Sequence, residues 1–75
     1  MARRITLKQH LEDAELRLQR AQRRLDRQRE AVAMLEQADR DSAKAKRYLR
    51  ILEKAFAIHV EDRERLAKQL ARPPR

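Results

Sequence analysis

From Ala2 to Arg72 the chain contains neither glycine nor proline; its prolines are Pro73 and Pro74. These two residue types are the strongest local punctuation of turns. A fold made of many short elements therefore has nothing here to divide it. Aromatic residues are limited to Tyr48 and Phe56, which argues against the aromatic-rich interior of a β-sandwich or barrel. The sequence is 43% charged, and Ala, Leu, Glu, Lys, Arg and Gln dominate it. That mixture reads as long amphipathic helix or coiled coil.

Apolar residues confirm the period. Leu7, Leu11, Ala14, Leu18, Ala21, Leu25, Val32 and Leu35 recur in alternating steps of three and four, with Gln28 the one interruption. This is a heptad seam. A second seam runs through Ala45, Leu49, Leu52, Phe56, His59, Arg63, Leu66 and Leu70. Carrying the first seam forward would put Asp39, Ser42, Lys46 and Glu53 at core positions, so the phase breaks between the two series. Thr6 and Gln9 have the spacing of a capping box, and Asp41 or Ser42 suits a second N-cap.

The expected organisation is a flexible N-terminus over 1–5, a helix over 6–38 and a turn over 39–41. A second helix over 42–71 and a flexible basic tail over 72–75 complete it. A single helix of about 65 residues, spanning about 100 Å, is the rival arrangement.

Folding the chain back at Asp39–Asp41 pairs Leu11 with Leu70, Ala14 with Leu66, Leu25 with Phe56, Val32 with Leu49 and Leu35 with Ala45. Ala21 then faces His59, Gln28 faces Leu52, and Arg63 lies over Leu18 with its head lifted to water. The flanks agree in sign: Glu36 beside Lys46, Arg29 beside Glu53, and Arg17 near Asp62. Flanking charges of this kind set orientation. The fold class is therefore all-α, an antiparallel two-helix coiled-coil hairpin. Its expected core is Leu11, Leu18, Leu25, Val32, Leu35, Leu49, Leu52, Phe56, Leu66 and Leu70.

Such a hairpin leaves apolar surface over. Tyr48, Ile51, Ala55 and Ile58 form a second row beside the seam, and Ala31 and Met34 fall on the same side. Contiguous exposed apolar patches mark interaction sites. A 75-residue chain without cysteine has no disulfide to support it, and a core this small supplies only about 3–5 kcal/mol. Both points favour a homodimer assembled as a four-helix bundle through this face. Another protein's helix is the competing occupant.

Positive charge collects as well, with a net charge of +8. Arg17, Arg20, Arg24 and Arg27 make a stripe on the first helix, with Arg23 beside them. A basic row on a rigid helix can track phosphates, so nucleic acid is the alternative partner. No aromatic residues interleave with these arginines, which disfavours single-strand stacking. Peripheral attachment to anionic lipid through the same arginines is a third use. A membrane-spanning segment is not expected, because no apolar run approaches the ~18 residues required.

No catalytic constellation appears. His10 and His59 stand about 16 Å apart along the hairpin axis, too far to share a metal. Glu12, Asp13 and Glu15 read as first-turn acids that suit the helix dipole. Glu61, Asp62 and Glu64 read as ion-pair partners, and Thr6 and Ser42 as caps. No enzyme activity, metal or cofactor is expected.

The stretches Arg27–Glu36 and Ala57–Leu66 resemble short helical-hairpin proteins of soil and nodulating alphaproteobacteria. The resemblance spans residues 6–70 and implies a bacterial cytoplasmic protein; the absence of cysteine fits a reducing compartment. It implies no activity. The expected function is that of a non-enzymatic interaction or self-association module, acting as a small regulator or assembly factor.

Overall fold

The computed structural model describes residues 2–72. Helix α1 runs Ala2–Gln37 and helix α2 runs Ala43–Ala71. The molecule measures 60 × 14 × 13 Å, far short of the roughly 100 Å of a single rod. The chain doubles back, and the two helices pack along each other.

With no glycine to turn the chain, an aspartate does so. Asp39 takes φ = 56°, the left-handed region that side chains other than Asn and Asp rarely enter. The Arg40 N–H donates to the Leu35 carbonyl at 2.8 Å and the Asp39 N–H to the Glu36 carbonyl at 3.1 Å. These are the two hydrogen bonds of a Schellman motif. Helix α2 then starts on the Asp41 carboxylate, which accepts the Ala43 N–H at 3.0 Å. Ser42 makes no side-chain cap bond, so of the two expected caps Asp41 does the capping.

The tip is also closed electrostatically. Glu36 lies at the C-terminal end of α1 and Lys46 in the first turn of α2. Each opposes its own helix dipole, and each is offset by the other at 2.7 Å. As a prediction, Asp39→Gly relieves the left-handed strain. It should raise stability by about 0.5–1 kcal/mol in urea denaturation. A loss instead would show that the position needs the carboxylate.

Several boundaries differ from expectation. Helix α1 begins at Ala2 rather than Thr6, because Arg3 and Arg4 are good helix formers and nothing before Thr6 breaks the helix. Residues 2–5 are thus helical. Thr6 and Gln9 lie inside the helix and are not its cap. The first turn of α1 contains no acid, so Glu12, Asp13 and Glu15 are mid-helix residues without the dipole role expected of them. The turn spans residues 38–42 and α2 starts at Ala43. Arg72 is extended. Met1 and the expected tail beyond Arg72 lie outside the described residues.

The deepest burial lies on α1. Ala14, Leu25 and Val32 are buried. Leu11, Leu18, Leu35, Leu49, Leu52, Phe56, Leu66 and Leu70 are half-buried. Among the described residues α2 has no buried side chain at all. Two expected flank pairs form: Lys46 with Glu36, and Arg29 with Glu53 at 3.9 Å. Each joins half-exposed groups and is worth only ~0.2–1 kcal/mol.

The third pair does not form among the described residues. Asp62 is taken by Arg65 within its own helix, at 3.3 Å. Gln28, placed opposite Leu52 in the expected register, bonds the backbone of α2. Its Nε2 donates to the Ala45 carbonyl at 3.0 Å, nearer the tip. The alanine leaves that carbonyl approachable.

Arg63 carries the clearest liability in the seam. Its Nε is buried and has no hydrogen-bond partner, so the expected lift of the head to water does not free the whole guanidinium. An unsatisfied buried donor costs about 1–3 kcal/mol. Arg63→Leu should therefore raise the thermal midpoint. A lowered midpoint would show that the guanidinium finds a partner in solution.

Candidate interaction face

The second apolar row stays open. Ile51 is 61% exposed, Ile58 56%, Tyr48 51% and Met34 68%. Ala31 and Ala55 are half-buried between them. The cause is geometric: these residues sit one step round each helix from the seam, where a two-helix structure has nothing to cover them. Leu16, 42% exposed, belongs to neither row. Isolated surface leucines are ordinary.

The structure adds a juxtaposition. A cleft of about 250 Å³ opens between the helices beside this row. Its α1 wall is Arg17, Arg20, Ala21 and Arg24; its α2 wall is Leu52, Ala55 and His59. The arginine stripe and the apolar row are thus two edges of one face. By residue type they stand apart in the sequence, although the three-four spacing of Arg17, Arg20, Arg24, Arg27, Ala31 and Met34 is continuous. Following that single row across the change from arginine to apolar residue would have found it.

Among the described residues, Arg17, Arg20, Arg23, Arg24 and Arg27 make no ion pair. Arg23 and Arg27 are exposed and do not line the cleft. Ala21 and His59 both line the cleft, while His10 is exposed. The described residues contain no group of three His, Cys, Asp or Glu side chains able to hold a metal. No described helix is long and apolar enough to cross a membrane.

Comparison with known proteins finds no matching family model, no matching curated protein and no matching solved structure.

Proposed function

We propose that this protein is a non-enzymatic helical-hairpin module that works by binding, through the face bearing Tyr48, Ile51, Ala55 and Ile58. One observation carries the reading: α2 has no buried residue among those described, while its large side chains stand open in a row. A helix in that state is half of an interface. A covering helix or helix pair would turn the hairpin into a three- or four-helix bundle, and a role as a small regulator or assembly factor follows. The expected homodimer is one form of this covering.

Sedimentation of the 9.0 kDa chain, alone and from cell extract, tests the reading. Ile51→Glu with Ile58→Glu should shed whatever mass the wild type carries, its own or a partner's. An unchanged mass removes this face as the working surface. The second reading, contact with a phosphate backbone, draws support from the arginines that make no ion pair. A short DNA duplex in the same run at about 0.15 M salt tests it, since contacts of this kind are salt-sensitive but survive when several act together.

A further inference from the structure

We infer that the occupant of this face is an acidic amphipathic helix of another protein, in preference to a second copy of the chain. The inference rests on the proposed binding role of the face and adds the chemistry of what it binds.

The argument is electrostatic. On α1 the row carries Arg17, Arg20, Arg24 and Arg27 against one acid at the same spacing, Asp13. On α2 the apolar row continues into Lys44 at one end and Asp62 at the other, and Asp62 is already paired with Arg65 at 3.3 Å. The face is apolar along one edge and cationic along the other, with almost no free carboxylate. Two copies joined face to face about a two-fold axis present the same patch to each other. A side-by-side pairing in the same direction would set arginine rows together. An antiparallel pairing centred on the apolar row would carry the arginines toward the partner's tip, where Lys44 stands. Like charges across an interface suppress association.

A foreign helix avoids this conflict. Apolar residues at three-four spacing would lie along Tyr48, Ile51, Ala55 and Ile58. That row of ten residues of rise is about 15 Å long, close to three helical turns. Glutamates on one flank would reach Arg20 and Arg24, whose guanidinium forks bind carboxylates in bidentate fashion. The cleft between the arginines and Ala55 is concave. It suits a ridge of side chains better than a flat bilayer.

The test uses the whole chain and a defined probe: a synthetic helix of about 18 residues, leucines at three-four spacing, glutamates along one flank. The control peptide carries lysine in place of glutamate. The expected result is a monomeric free chain that binds the glutamate peptide and ignores the lysine peptide. Arg20→Gln with Arg24→Gln should weaken that binding roughly tenfold or more without changing helicity. Ile51→Glu with Ile58→Glu should abolish it.

Three results overturn the inference. One is a free chain that is a dimer dissociated by the isoleucine substitutions, which leaves the binding face intact but makes its occupant a second copy. Another is equal binding of both peptides or of neither. The third is capture by phosphatidylglycerol vesicles without capture by the peptide. Binding of the glutamate peptide that survives the isoleucine substitutions would instead remove the face itself, and the proposed function with it.

Discussion

Leu25→Ala should largely unfold this protein at 25 °C. Leu25 is 3% exposed, and with Ala14 and Val32 it makes up the buried apolar set among the described residues. Removing a buried leucine side chain costs about 2–5 kcal/mol, from lost transfer energy and the cavity left behind. A core of this size supplies only about 3–5 kcal/mol in total. The substitution therefore consumes most of the stability, and the helical circular-dichroism signal should fall with it. Leu16→Ala is the matched control, because Leu16 stands apart from the seam and is 42% exposed; its effect should stay within about 0.5–1 kcal/mol. Equal losses at the two sites would mean that helix propensity, not seam packing, holds the chain together.

The second large effect spares the fold and removes the contact. Ile51 and Ile58 are 61% and 56% exposed, so glutamate at either site remains hydrated in the free hairpin. Helix propensity changes little, since glutamate is a good helix former. Inside a covered face the same two carboxylates lose water without a designed partner, at several kcal/mol apiece. Association should weaken by more than about a hundredfold, since each 1.4 kcal/mol is a factor of ten. The thermal midpoint of the isolated chain should move by only a few degrees. A collapse of the midpoint together with the association would show that these residues belong to the hairpin's own core.

Much of the fold was legible because the heptad pattern is a direct record of which side of each helix is dry. The seam from Leu11 to Leu35 and its partner from Leu49 to Leu70 follow from spacing alone, as do the ion pairs of Arg29 and Lys46. The turn was placed by the phase break, but its mechanism was not legible. No sequence rule demands that Asp39 rather than a glycine enter the left-handed region; the aspartate tolerates it and the Schellman hydrogen bonds hold it there.

The start of α1 differs from expectation because a capping box marks a residue able to begin a helix, and Ala2–Ile5 have no reason to stop being helical. Arg17 and Asp62 were paired by opposite sign, yet Arg65 lies one turn from Asp62 on the same helix and reaches it first. Gln28 shows a different limit. A long amide at a core position can bond a backbone carbonyl well along the neighbouring helix, and side-chain spacing carries no record of backbone acceptors. The union of the arginine row with the apolar row is written in the three-four spacing of α1, and the cleft between the helices displays it.

The closed tip has a consequence for how the structure comes apart. The Schellman bonds, the Asp41 cap and the Glu36–Lys46 bridge all sit at one extremity of a 60 Å molecule, whereas the unpartnered Arg63 Nε sits toward the other. Opening should therefore be graded along the axis, with the free ends separating first and the bend persisting longest, as in a zipper fixed at its base. The open face around Tyr48 and Ile51 lies beside that end, so the proposed binding surface should be carried by the last part of the protein to lose its shape.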